Sequence, residues 1–221
     1  MDHKMTNEVI LYGYKFSVYN WIARVVLHEK GVDHSIVEVN PFSGDVPAKY
    51  HRLHPFGRVP VLFHGTFTVF ETSAIGRYVD AGFKGPSLTP VAPRSIARMA
   101  QVIAIIDNYG YWPMIRQVFA HRVFRPLSGE KTDEAEVVVG LTGTHEVLTS
   151  LEAIVSEGEI LEGRQVTLAD CHLAPMISYL LAAREGEDAF AAYPALSAWW
   201  SVASSRASIV ETYPGLPKDA E

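Results

Sequence analysis

Arg58-Val59-Pro60-Val61-Leu62-Phe63-His64-Gly65-Thr66-Phe67-Thr68-Val69-Phe70 reads as two apolar, β-rich runs set about a His-Gly dipeptide, the pattern of an antiparallel hairpin. Glu71-Thr72-Ser73 follows at once and opens a helix from Ala74 to about Ala81, closed by Gly82. Upstream, Val9-Ile10-Leu11-Tyr12-Gly13 is a short buried-strand signal. Between Tyr19 and Lys30 the apolar residues Trp21, Ile22, Val25, Val26 and Leu27 recur at helical spacing until Gly31 stops them. Ser35 to Asn40 is a second β-branched run, and Pro41 to Pro47 is loop-like. The order β-α-β, then β-β-α, describes a small α/β half with a mixed sheet.

Gly82 to Pro93 carries two Gly and three Pro and reads as a linker. Beyond it the periodicity is helical: Ser95 to Asn108, Trp112 to Val123, Thr132 to about Glu157, and Pro194 to Ser205. Thr167 to Arg184 is apolar nearly all round, as expected of a helix buried on every side. Gly110 and Pro113 are expected to break or kink the chain there. The predicted domains are 1–83, a linker over 84–93, and an all-helical domain over 94–221.

Composition excludes several classes. In 221 residues, 48% hydrophobic and 20% charged is an ordinary globular balance, not that of a disordered chain. A net charge of −6 provides no basic field for a phosphate backbone, so nucleic acid is not expected as a partner. The single cysteine, Cys171, allows neither an internal disulfide nor a Cys-rich zinc site. No run reaches the roughly 18 apolar residues of a membrane span. The charged start lacks a long apolar segment, so the expectation is a soluble cytoplasmic protein, with Met1 or Met5 as its first residue.

Proline at a strand entrance, as at Val59-Pro60, cannot donate to a ladder and marks an edge or a special turn. With a cis bond, Val59 turns its backbone N–H and C=O outward, and an extended peptide can pair with it as a short extra strand. Eleven residues on, Glu71-Thr72-Ser73 begins a helix whose free N–H groups and dipole suit a carboxylate. The plainer roles are a trans proline and an ordinary helix cap.

Together, His54-Pro55-Phe56-Gly57-Arg58-Val59-Pro60-Val61-Leu62 and Phe70-Glu71-Thr72-Ser73-Ala74-Ile75 resemble the glutathione-binding signature of the glutathione S-transferases. Thr167-Leu168-Ala169-Asp170 is similar to that family's buried N-capping box, and the resemblance runs through most of the chain in order. It implies an α/β plus all-α fold: a thioredoxin-like N-terminal domain followed by an all-helical C-terminal domain. The chain is identified as a serine-type member, phi- or theta-like and bacterial in style. The implied reaction is attack of the glutathione thiolate on a small, apolar or aromatic electrophile. Glutathione is then a co-substrate, with no cofactor and no metal, and a homodimer is the implied state. Other reactions on the same scaffold (isomerisation, dehalogenation, ether cleavage) and a non-catalytic binding module stay open.

The resemblance also carries residues over. The thiol-activating group belongs just after the first strand, and counting back from His28-Glu29-Lys30 lands on Ser17. A free thiol has a pKa near 8.5 and the thiolate is the nucleophile, so a hydroxyl donor at a helix N-terminus stabilises the reactive form. Tyr12 and Tyr14 remain rivals, because tyrosine-type classes use a phenol from this region. Val59 and Pro60 would face the cysteinyl unit, and Glu71 and Thr72 the γ-glutamyl end. Arg58 would reach the glycyl carboxylate, a subsite for which loop 41–51 has no evident basic match. His54 stands where the signature has Asn. The implied electrophile side is Tyr14, Phe16, Tyr109, Trp112, Ile115 and Arg116, together with Tyr111 and Phe119. Each of these rings has helix packing as its alternative role. Cys171 reads as an inert core residue.

Overall fold

The computed structural model describes residues 8–43 and 50–217, which divide after Pro86 into two compact units. The first holds β1 (Val9–Gly13), α1 (Val18–Glu29), β2 (Ser35–Glu38), a single 3-10 turn (Tyr50–Arg52), β3 (Val61–His64), β4 (Phe67–Phe70) and α2 (Thr72–Gly82). Strand order is β2-β1-β3-β4; β1 runs parallel to β2 and antiparallel to β3, and β3 pairs antiparallel with β4. This is the expected mixed sheet. β3 starts at Val61 where the sequence pattern begins at Arg58, because Pro60 has no N–H to give the ladder.

Helix α1 buries Trp21, Ile22, Val25, Val26 and Leu27, and it packs on α2, whose buried residues include Ile75 and Val79. Gly31, at φ +62, ends it in the left-handed region glycine enters without penalty. Lys30 is buried, and its Nζ donates to the Asp80 carbonyl at 3.0 Å, to Asp80 Oδ1 at 3.1 Å and to the Pro86 carbonyl at 3.0 Å. All three ammonium donors are satisfied, which a buried cation requires.

The second unit is helical: α3 (Pro93–Ile105), α4 (Ile106–Phe124), α5 (Glu134–Ser156), α6 (Leu168–Leu181), α7 (Arg184–Phe190), α8 (Pro194–Ala203) and α9 (Ala207–Thr212). The expected break at Gly110 and Pro113 does not occur. The chain stays helical from Pro93 through Leu127, and α4 takes wide π-type turns; its last closes from the Arg125 N–H to the Ala120 carbonyl, five residues back. Such turns absorb irregularities that an i→i+4 ladder cannot. The short helices α7 and α9 have no counterpart in the sequence reading.

Helix α5 meets α4 through glycine. A Cβ on Gly140 would stand 2.6 Å from Gln117 Cβ and 3.0 Å from the Pro113 carbonyl, and one on Gly143 would stand 3.0 Å from Pro113 Cβ. Helix α6 is buried almost throughout, as its composition predicts. Its Thr167–Asp170 capping box is present, with Asp170 Oδ2 accepting from the Thr167 N–H at 2.8 Å and Oγ1 at 2.7 Å. Asp170 Oδ1 accepts from Trp199 Nε1 at 2.9 Å, tying α8 to α6. Burial pushes the Asp170 carboxyl up, and these donors pull it back. Glu152 of α5 accepts from the Ala195 and Leu196 N–H groups and so caps α8. No described helix is long and apolar enough to cross a membrane.

Gly140→Ala forces a methyl into backbone and Gln117 that cannot retreat. It should lower unfolding free energy by about 1–3 kcal/mol, read from the denaturant midpoint at unchanged m-value.

Candidate functional site

One row of the sheet gathers the residues singled out above. Tyr12 pairs with Val61, and Val61 pairs with Phe70. Tyr12 is near the end of β1, Phe70 ends β4 and Val61 begins β3, so chain leaving two strands and entering the third emerges at one end of the sheet. Residues 13–17, 59–60 and 71–72 are the first beyond that row. A topology with β1 and β4 both antiparallel to β3 therefore brings together three segments far apart in sequence.

In the first segment, Ser17 is the N-cap of α1. Its N–H donates to the Tyr14 carbonyl at 3.0 Å, and its Oγ accepts from the Asn20 N–H at 3.3 Å. The oxygen is occupied as an acceptor at the positive end of the helix, while no described group takes the hydroxyl hydrogen. That geometry favours donation outward to an anion. Tyr14 lies against Phe16 and Phe42, at 5.7 Å and 6.0 Å between ring centres. Burial, then the Glu38 carboxylate, hold its phenol above the usual tyrosine range, so it is neutral and also a donor. Glu38 accepts the Lys15 N–H at 3.0 Å, steadying the same turn. Tyr12 leans on Tyr50, with ring centres 6.3 Å apart.

In the second segment, the Val59–Pro60 peptide is cis. Tyr50, on the 3-10 turn, donates its hydroxyl to the Arg58 carbonyl at 2.7 Å. Burial pushes that phenol up to about 12, so it keeps its proton throughout the working range. Sequence reasoning missed Tyr50, since its partner is a backbone atom eight residues away. Val59 lies outside the ladder, which opens at Val61, and Arg58 is exposed. Most of loop 41–51, where the sequence offers no evident basic match for the glycyl carboxylate, is residues 44–49, outside those described.

The third segment turns from strand to helix at Glu71, a non-glycine residue at φ +68 and ψ 116. Its carboxylate is exposed and makes no cap bond, whereas Thr72 is buried. His54 is buried with its ring 4.6 Å from Phe70, the residue before Glu71. Burial holds the imidazole below its usual range; the Glu71 charge opposes that shift and the Arg58 charge adds to it.

In the helical unit, Tyr109 and Trp112 on α4 are exposed, Arg116 is half-buried and Ile115 is buried. Phe119 belongs to the core, its ring stacked on Tyr179 of α6 at 4.3 Å. Cys171 is buried within α6 and is in no disulfide.

Comparison with known proteins decides the family. Residues 16–81 match the family described as glutathione S-transferase, N-terminal domain, and residues 111–207 match glutathione S-transferase, C-terminal domain. Over 191 residues, covering 84% of this chain and 87% of that protein, the sequence is 34% identical to glutathione S-transferase F10 of Arabidopsis thaliana. The chain belongs to the glutathione S-transferase family. A solved glutathione S-transferase III in its apo form is 30% identical and superposes with a TM-score of 0.82 over 95% of this chain and 97% of that one. Glutathione S-transferase I from maize, solved with an atrazine glutathione conjugate, is 26% identical with a TM-score of 0.81, covering 97% of this chain and all (100%) of that one. The transferase fold is thus the thioredoxin-like sheet followed by a helical domain.

Glu71 offers a test of backbone strain separate from its charge. Glu71→Gly and Glu71→Ala both remove the carboxylate, but only glycine enters positive φ freely. The glycine variant should be the more stable of the two by about 1 kcal/mol, measured by equilibrium denaturation.

Proposed function

We propose that this transferase binds reduced glutathione along the end of its sheet, holds it as the thiolate through Ser17, and transfers sulfur to an electrophilic carbon. The observation that carries the reading is the Ser17 hydroxyl, fixed as an acceptor at the start of α1 with its hydrogen uncommitted. Val59, next to Pro60 and beyond the ladder, pairs through its backbone with the cysteinyl unit. Glu71 takes the γ-glutamyl ammonium, and the first N–H groups of α2 with the Thr72 hydroxyl take its carboxylate. Arg58 reaches the glycyl carboxylate as a charge-assisted donor.

The chemistry needs no proton acceptor of high basicity. A thiol near pKa 8.5 is mostly thiolate at neutral pH once a donor and a helix dipole lower that value by about two units, roughly a hundredfold change. The thiolate displaces the leaving group or adds to the electrophile, and the new bond is carbon–sulfur. Proximity supplies much of the rest. In the first unit, Tyr14 and Phe16 are the rings assigned to the electrophile. In the helical unit, Tyr109 and Trp112 have the exposure for that role, and Arg116 favours a substrate carrying a negative charge. A homodimer in the cytoplasm completes the proposal, and sedimentation equilibrium tests the first half of it.

Ser17→Ala decides the central assignment. Turnover with an aryl chloride at neutral pH should fall about a hundredfold, with glutathione affinity retained and the pH–rate midpoint moved upward. Unchanged turnover would overturn it and, if Tyr14→Phe then shows the loss, would move the role to Tyr14.

A further inference from the structure

Asn20, on the first turn of α1, is buried at 1% exposure, and both its side-chain amide and its backbone N–H donate to the turn that carries Ser17. Its Nδ2 donates to the Tyr14 carbonyl at 3.1 Å, the same oxygen that accepts the Ser17 N–H at 3.0 Å. Its backbone N–H donates to Ser17 Oγ. The residue therefore grips both ends of the Tyr14–Ser17 turn. Rotating the amide by half a turn would set Oδ1 against the Tyr14 carbonyl, so only one orientation is compatible with its surroundings.

The arrangement is poor as packing. Among the described residues Asn20 Oδ1 is buried with no partner, a free-energy penalty an apolar side chain would avoid. The amide also fills the space of a missing side chain on β1: a Cβ on Gly13 would lie 1.9 Å from Asn20 Oδ1, and the three atoms nearest to it all belong to Asn20. Glycine at position 13 is thus a matter of room. Helix α1 is already capped by Ser17, so it does not need Asn20 for its own start.

We infer that Asn20 is a positioning residue for the thiolate site, holding the Tyr14 carbonyl so that the Ser17 turn, and with it the direction of the Ser17 hydroxyl, is fixed before glutathione arrives. Gly13 is its counterpart, left bare to admit the amide. The inference rests on Ser17 being the thiolate donor. A hydroxyl held in one direction stabilises the anion without reorganising during the reaction, whereas a relaxed turn lets it rotate to other acceptors.

The test is an ultraviolet titration of the thiol of bound glutathione, run with thermal melts, on Asn20→Ala, Gly13→Ala, Gly13→Ala/Asn20→Ala and Ser17→Ala. Asn20→Ala should raise the thiol midpoint by about one pH unit, roughly a tenfold loss of thiolate and of kcat at neutral pH, with little change in KM for glutathione. Gly13→Ala should do the same and also melt lower. The double variant should recover the melting temperature of Asn20→Ala but keep the raised midpoint, which a purely structural role would not do. In the Ser17→Ala background, Asn20→Ala should shift the midpoint no further. If Ser17→Ala leaves the midpoint in place, the Ser17 assignment itself fails. If Ser17→Ala moves it and folded Asn20→Ala does not, the positioning role is overturned; should Asn20→Ala not fold, Asn20→Ser is read by the same criterion.

Discussion

The pairing of Val61 with Tyr12 on one side and Phe70 on the other is the contact on which the candidate site depends. A helix start leaves unsatisfied N–H groups wherever it lies, and this register sets two of them, α1 and α2, beyond the same end of one sheet. It also makes Val59 the last residue with an N–H before the ladder takes up the chain at Val61. Sliding β3 by one residue would turn its buried pair, Val61 and Leu62, to the wrong faces, so core burial and site geometry are enforced by the same register.

Much of this was legible because the deciding residues act locally. Pro60 lacks an N–H, Gly31 enters positive φ, and the β-branched runs alternate with a helical period; each constrains its own neighbourhood whatever surrounds it. The hairpin, the order of elements and the capping box of α6 follow from such residues. The course of α4 did not, because Pro113 breaks a helix by a local rule while the remedy is distributed. Wider turns on α4 and two side-chain-free positions on α5, Gly140 and Gly143, accommodate it from a partner helix. Asn20 and Tyr50 were hidden for a similar reason. Both satisfy backbone carbonyls, and a carbonyl carries no residue type for a sequence pattern to show. The helices α7 and α9 are short enough that two turns of periodicity never accumulate.

The polar side chains of the fold serve different ends. Lys30, Asp170 and Glu152 are fully engaged, each meeting a backbone end or an indole that would otherwise be orphaned, and each joins elements distant in sequence. Groups around the proposed glutathione site are left incomplete. Among the described residues, Asn20 Oδ1 and His54 Nδ1 are buried without partners, and the Ser17 hydroxyl has an unused hydrogen. Each is a penalty that a chain selected for stability alone would have removed; the helical unit carries the same penalty at Thr144 Oγ1.

Glu71 makes the same argument through the backbone. A single residue separates the end of β4 from the start of α2, and turning the chain so abruptly takes it to φ +68. Glycine would occupy that position with least strain, and Asn or Asp more readily than a longer side chain. Glutamate there sets side-chain chemistry against backbone ease, and it makes no capping bond in return. The strain is sustained because β4 on one side and the buried Ile75 and Val79 of α2 on the other leave the connection no freedom to relax. What such a residue offers is a carboxylate held at the mouth of a helix, a negative charge beside a positive dipole end. A zwitterionic α-amino acid group needs that juxtaposition if its ammonium and its carboxylate are to be held at once.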